Sequence, residues 1–236
     1  MMCLRNRGAG NAKHDFVEYS AGSGMVTLQN LIAGFNGVGL DKIYDRSQDN
    51  TTGPGLRLWI NEFSLTKLGA LAWFGTQCSS YTALCKSNSQ RWAANSFLGD
   101  ESKEFVKTEN TQMTITALLM LVSFLVGNVA VLEQSAGSTM PKTPPLNVVL
   151  KFANAKRVVT WHGAFGAATA KPLQIWSNNA IIEKLRREKP VNISGHLCSN
   201  GVDNSYSGIR RRLFGSRAYT AEFGRAVADM MCALSH

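Results

Sequence analysis

Residues 15–24, DFVEYSAGSG, join an apolar run to a loop that contains two glycines. The run predicts a β-strand over Asp15–Tyr19, and residues 25–33, MVTLQNLIA, carry apolar side chains at helical spacing. Gly22 and Gly24 allow the backbone to turn sharply from the strand into the helix and to approach a ligand closely. A short Gly-x-Gly sequence is common by chance, so the rest of the chain has to decide whether this loop binds anything.

Strands and helices alternate along the remaining sequence. Further strands are predicted at residues 37–41, 69–75, 129–133, 157–166 and 173–178, with helices at 56–68, 111–126 and 147–155. Such alternation is typical of an α/β sheet whose strands are mostly parallel. We therefore predict one Rossmann-like α/β domain over residues 15–236, with helices on both faces of the sheet, after a flexible basic segment at residues 1–14. Two polar stretches, residues 86–110 and 186–208, are expected to lie outside the core.

The composition favours a globular protein with a polyanionic partner. The chain has 236 residues, of which 44% are hydrophobic, enough for one sizeable core. Its formal net charge of +9 favours nucleic acid or an anionic membrane surface as a partner, although a charge excess can also serve solubility alone.

Residues 114–132 form a 19-residue stretch without a charged side chain, close to the length of a membrane span. Gly127 and Asn128 interrupt this stretch, which favours a buried helix, a tight turn and a buried strand. A membrane helix remains the alternative, and with it a small membrane-associated protein.

The cysteines and histidines are scattered. Five cysteines contain no Cys-x-x-Cys pair, and four histidines contain no His-x-x-x-His pair. This pattern predicts a reduced, soluble intracellular protein, in the cytoplasm or nucleus, without a metal site or a disulfide framework.

An acidic residue follows the second predicted strand. Asp41 lies 17 residues after Gly24, and in α/β folds an acidic side chain at this place commonly binds ribose hydroxyls. The loop lacks the third glycine of dinucleotide-binding sequences, because position 27 is threonine. The pattern favours a nucleoside ligand without a pyrophosphate.

The loop and Asp41 together resemble the first two motifs of class I S-adenosylmethionine-dependent methyltransferases, in particular the cytosine-C5 DNA methyltransferases. Glu18, Ala21, the two glycines and Asp41 match, whereas Ser20 replaces the usual phenylalanine. The resemblance implies that S-adenosylmethionine is the cofactor.

Later motifs of the same family recur in order. FGTQCSSY (74–81) resembles the Pro-Cys nucleophile loop, with Cys78 as the nucleophile and Gln77 in place of proline. VLEQSAGS (131–138) resembles the Glu-Asn-Val motif, with Glu133 on its glutamate.

Two further segments extend the resemblance to the end of the chain. GAFGAATAKPLQIWSN (163–178) resembles the Gln-x-Arg-x-Arg region, where Lys171 replaces the first arginine. AYTAEFGRAVADMM (218–231) resembles the closing Gly-Asn-Ala-Val helix and contributes Gly224 and Val227.

The resemblance implies a set of site residues. Cys78 would add to the base at C6, Glu133 would hydrogen-bond the ring nitrogen N3 and the exocyclic amine, and Lys171 would support the base or backbone. Cofactor contacts are expected from Glu18, Ser20, Ala21, Gly22, Ser23, Gly24, Asp41, Gly75, Gly224 and Val227. A cysteine after an apolar strand is nevertheless most often a small core residue.

Basic residues near the end of the chain suggest where a polynucleotide would bind. Arg210, Arg211 and Arg212 are consecutive and suit phosphate contacts, and residues 184–217 form a basic insertion that could recognise the substrate. DNA is favoured over RNA by the resemblance. The alternative is a degenerate relative that binds nucleic acid without chemistry.

Overall fold

The structure is a computed structural model that describes residues 11–191 and 218–234. Within these residues the chain forms one six-stranded sheet in the order β2-β1-β3-β4-β6-β5. The strands are β1 His14–Tyr19, β2 Gly37–Leu40, β3 Thr66–Phe74, β4 Val129–Ser135, β5 Lys156–Trp161 and β6 Pro172–Ser177. Strands β2, β1, β3 and β4 are parallel neighbours, whereas β6 runs antiparallel to both β4 and β5. The predicted α/β fold with a mostly parallel sheet is confirmed.

Helices cover both faces of the sheet. They are α1 Met25–Ile32, α2 Gly53–Ser64, α3 Lys86–Ser89, α4 Glu104–Leu125, α5 Pro144–Phe152 and α6 Ala221–Cys232. Side chains of α2, α4 and α5 pack on one face, with Trp59, Met120 and Leu150 buried there. Helices α1 and α6 cover the other face through Val26 and Phe223.

The uncharged stretch 114–132 forms a helix, a turn and a strand, as Gly127 suggested. Helix α4 ends at Leu125, Gly127 turns the chain at a φ of +83°, and β4 begins at Val129. Successive β4 side chains enter the two cores alternately, since Leu132 packs in one and Val131 in the other. A central strand covered on both faces favours apolar side chains, which explains why residues 129–132 carry no charge. In the described parts of the chain, no helix is both long and apolar enough to cross a membrane.

The expectation that residues 86–110 lie outside the core is wrong for part of this segment. Ser89, Arg91, Val106, Glu109 and Asn110 are all buried. Their polar groups bond to one another and to the loop after β3, so these residues form a buried hydrogen-bond network, whereas residues 86–88 are exposed as expected.

Candidate active site at the carboxyl edge of the sheet

A cavity of about 540 Å³ opens at the carboxyl ends of the parallel strands. The connection after β1 leads to β2 on one side and the connection after β3 leads to β4 on the other, so a crevice opens between the ends of β1 and β3. Open α/β sheets bind ligands at such topological switch points. Ligand pockets in proteins typically measure about 300–1,000 Å³, and this cavity falls within that range.

The cavity brings together nine of the residues predicted from sequence. These are Ser20, Ala21, Gly22, Ser23, Asp41, Gly75, Cys78, Glu133 and Lys171. Lys171 precedes β6, and it reaches this edge only because β6 runs antiparallel to its neighbours. In a parallel strand the same residue would lie at the opposite edge.

The glycine loop is fixed by backbone geometry and by Asp41. Gly22 and Gly24 have φ values of +55° and +68°, where a side chain would be strained. The Asp41 carboxylate accepts hydrogen bonds from the Gly22 and Ile43 backbone N–H groups, both at 2.9 Å. A carboxylate has about four acceptor positions, so Asp41 retains capacity for ligand hydroxyls.

Glu18 stabilises the start of α1, directly after the loop, and does not line the cavity. It is fully buried, and its Oε2 accepts hydrogen bonds from the Thr27 N–H at 2.7 Å and hydroxyl at 2.6 Å. These bonds fix the first turn of α1. Burial raises the pKa of Glu18 to about 7, an effect that the Thr27 hydrogen bonds only partly offset.

We expect Glu18→Gln to remove a pH-dependent loss of stability. Because the pKa of Glu18 is raised from 4.5 to about 7 on folding, its contribution to stability is complete below pH 4.5 and is lost as the pH rises through 7. The loss amounts to about 3 kcal/mol at pH 8. Between pH 4.5 and pH 8, the free energy of unfolding of the variant should rise by this amount relative to that of the wild type. Urea unfolding at the two pH values measures the change. An identical pH dependence in both proteins would contradict the assignment.

Cys78 follows β3 and faces an environment that opposes ionisation. Desolvation raises the pKa of the Cys78 thiol to about 11, and the negative charges of Glu133 and Glu109 add to the effect. The positive charge of Lys171 and a hydrogen bond from the Ser135 backbone act in the other direction. Lys171 is therefore placed to favour a thiolate at Cys78.

Glu133 has one oxygen engaged and one available. Its Oε2 accepts a hydrogen bond of 2.7 Å from the Tyr219 hydroxyl. Its Oε1 is buried, and none of the residues in the described ranges donates to it. Gln112, on α4, also lines the cavity with a buried Oε1 that lacks a donor in the same part of the chain. Unpaired buried oxygens of this kind suit a ligand that brings its own donors.

Sequence reasoning missed Tyr219 and Gln112. Tyr219 lies 86 residues from its partner Glu133. It lies in the segment 218–231 but matches none of the motif positions there, and no local signal marks it. Gln112 lies in a helix where its neighbours are apolar or hydroxylated, and only the packing of α4 shows that it borders the cavity.

A buried polar network holds the loop that follows Cys78. Glu109 accepts hydrogen bonds from the Ser79 and Ser80 hydroxyls, both at 2.5 Å, and from the Ser80 N–H at 2.9 Å. Arg91, which is 1% exposed, donates to the Ser80 hydroxyl at 2.9 Å. Its guanidinium carbon lies 3.5 Å from the centre of the Tyr81 ring. We name Arg91, Glu109 and Asn110 the clamp, because they fix residues 79–81.

The other predicted residues lie elsewhere. Gly24 begins α1 beside the cavity but does not line it. Gly224 allows α6 to approach α1, since a β-carbon there would overlap the Met25 carbonyl oxygen. Val227 is buried in the core between these helices. Both therefore act through packing. The three consecutive arginines, 210–212, lie outside the described residues, as does most of the segment 184–217.

The fold and the cavity define the protein as a doubly wound α/β domain with a cavity at its switch point. Within the described ranges, no group of three or more His, Cys, Asp or Glu side chains could hold a metal ion. No protein-family model matches the chain, and neither a curated protein nor a solved structure is significantly similar to it.

Proposed function

We propose that this protein is an S-adenosylmethionine-dependent methyltransferase that acts on C5 of cytosine in a polynucleotide, with Cys78 as the nucleophile. One observation carries the proposal. A single cavity is lined both by the glycine loop with Asp41 and by Cys78, Glu133 and Lys171. The first group suits a nucleoside cofactor, and the second suits a pyrimidine base.

The residues around the cofactor end fit an adenosine-like ligand. Asp41 has acceptor positions for ribose hydroxyls, and Gly22, which has no side chain, leaves space for a ligand beside the backbone. S-Adenosylmethionine, when bound, supplies a methyl group activated by its sulfonium centre.

The chain's own residues would handle the base. The Cys78 thiolate would form a bond to C6, and the displaced electron pair would move toward N3, where Glu133 would donate a proton. C5 would then form a bond to the methyl group as the bond from that group to the sulfonium sulfur breaks, so that S-adenosylhomocysteine leaves and the N3 proton returns to Glu133. Loss of the C5 proton to a base and expulsion of the Cys78 thiolate would restore the ring and free the enzyme. Lys171 would stabilise the Cys78 thiolate before it attacks C6 and again when it is expelled.

A second candidate is a protein of this fold that binds nucleic acid without chemistry. The pKa of about 11 at Cys78 favours it, because a neutral thiol is a weak nucleophile. Gln77, where the resembled family has proline, is a further departure.

Methyl transfer decides between the two candidates. The full-length protein is incubated with methyl-labelled S-adenosylmethionine in three separate reactions, which contain single-stranded DNA, duplex DNA or RNA. The proposal predicts label in 5-methylcytosine of at least one polynucleotide, with DNA preferred. Cofactor and polynucleotide binding without transfer would favour the second candidate, and absence of cofactor binding would overturn the proposal.

Asp41→Ala should weaken cofactor binding about 10- to 100-fold, because it removes a carboxylate that both holds Gly22 and would accept ribose hydroxyls. Calorimetric titration with S-adenosylmethionine measures the effect. The matched control is Asp229→Ala, which removes an exposed carboxylate from α6 outside the cavity and should leave the affinity unchanged. Equal affinities for both variants would place the cofactor elsewhere.

A further inference from the structure

Tyr219 is held rigidly at the wall of the cavity. Its ring stacks on Phe223, with 4.8 Å between ring centroids, and meets Trp73 and His162 edge-on at 6.4 Å and 6.3 Å. These three aromatic side chains fix the ring, so the position of the hydroxyl is set before any ligand binds.

The Tyr219 hydroxyl acts only as a donor toward Glu133. Burial, followed by the negative charge of Glu133, raises the pKa of Tyr219 well above its ordinary value. The phenol therefore stays protonated at any working pH, and it donates to Glu133 Oε2 at 2.7 Å.

This hydrogen bond makes the two oxygens of Glu133 unequal. The Tyr219 hydroxyl occupies Oε2 and holds the carboxyl group in one orientation. Oε1 is the buried oxygen for which the described residues provide no donor. It is thus free to meet a ligand.

We infer that Tyr219 is a positioning residue, which orients Glu133 so that Oε1 faces the ring nitrogen and the exocyclic amine of the base. The inference rests on the proposed function and deepens it. In this role Tyr219 acts through Glu133, to which its hydroxyl donates. The cofactor end of the cavity should not depend on this hydroxyl.

Tyr219→Phe tests the inference, because it removes one oxygen atom and keeps the aromatic packing. The kcat for methyl transfer should fall about 10- to 100-fold, the effect of losing one charge-assisted hydrogen bond. The KM for S-adenosylmethionine should not change. The matched control is Tyr19→Phe, which removes a hydroxyl that donates to the Trp59 carbonyl at 3.4 Å. This control should keep the kcat of the wild type.

A double substitution separates positioning from general support of the structure. If Tyr219 acts through Glu133, adding Tyr219→Phe to Glu133→Gln should change the single-turnover rate less than twofold. A further loss as large as in the wild-type background would overturn the inference, as would an unchanged kcat in Tyr219→Phe.

Binding of 2′-deoxycytidine 5′-monophosphate gives a readout that does not need methyl transfer. Calorimetry should show an affinity about tenfold lower for Tyr219→Phe than for the wild type, and no loss for Tyr19→Phe. If the wild type neither binds this nucleotide nor transfers methyl groups, the proposed function fails. If the wild type does either and Tyr219→Phe behaves identically, only the inference about Tyr219 fails.

Discussion

Cys78→Ser is expected to lower the rate of methyl transfer by roughly 10⁴-fold or more, the scale on which removal of a catalytic nucleophile acts. An alcohol ionises far less readily than a thiol and is a poorer nucleophile toward the ring carbon. Cofactor affinity should be retained, because the glycine loop and Asp41 are untouched. Transfer of labelled methyl groups to DNA, measured beside calorimetry with S-adenosylmethionine, checks both expectations.

Cys85→Ser provides the matched control. Cys85 lies seven residues further along, does not line the cavity and should be replaceable without loss of activity. Full activity of Cys78→Ser would rule out covalent catalysis by this residue. Equal losses in both variants would point to damage of the loop instead.

The reaction catalysed by Cys78 should also accelerate with rising pH. With a pKa of about 11, roughly one thiol in a thousand is ionised at pH 8, and this fraction grows tenfold for each pH unit. Alkylation of Cys78 by iodoacetamide in the absence of substrate should likewise become faster as the pH rises.

Arg91→Met is expected to lower the free energy of unfolding by about 3 kcal/mol or more, a large share of the total stability of a domain. The guanidinium donates to the carbonyl oxygens of Phe97 and Leu98 and to Asn110 Oδ1, at 2.7–2.9 Å. Methionine fills similar space but removes these hydrogen bonds and the positive charge beside Glu109, and it leaves the Phe97 carbonyl without its donor. Urea denaturation measures the loss.

Arg91→Met should also affect the loop that carries Cys78. Because Arg91 and Glu109 both bond to Ser80, loosening the clamp should also disorder the backbone beside Cys78. Arg57→Met, on the exposed surface of α2, is the matched control and should change stability by less than about 0.5 kcal/mol. Equal stabilities for the two variants would contradict the role assigned to Arg91.

Several elements of the fold could be predicted from local patterns. β1, α1, β2 and β4 were expected within one or two residues of their observed bounds, because apolar periodicity and flanking glycines mark them directly. Residues 157–166 were expected as one strand, but β5 ends at Trp161. Gly166, at a φ of +78°, closes a short helical turn there.

The polar segment 86–110 shows where local patterns fail. A run of polar residues looks the same whether it is solvated or satisfied internally. Only the partners distinguish the two cases, and here Arg91 finds its partners in Ser80 and Asn110.

Part of the candidate site could be predicted from the sequence, and part of it could not. The sequence by itself determined the glycine loop, Asp41 and the positions of Cys78 and Glu133 at strand ends, since parallel strands bring their carboxyl ends to one edge. The resemblance named Lys171 as well, but only the tertiary structure decided that it reaches the same edge, because the reversed direction of β6 cannot be deduced from its composition. It also decided that Tyr219 holds Glu133, because a contact across 86 residues depends on how α6 packs against the sheet.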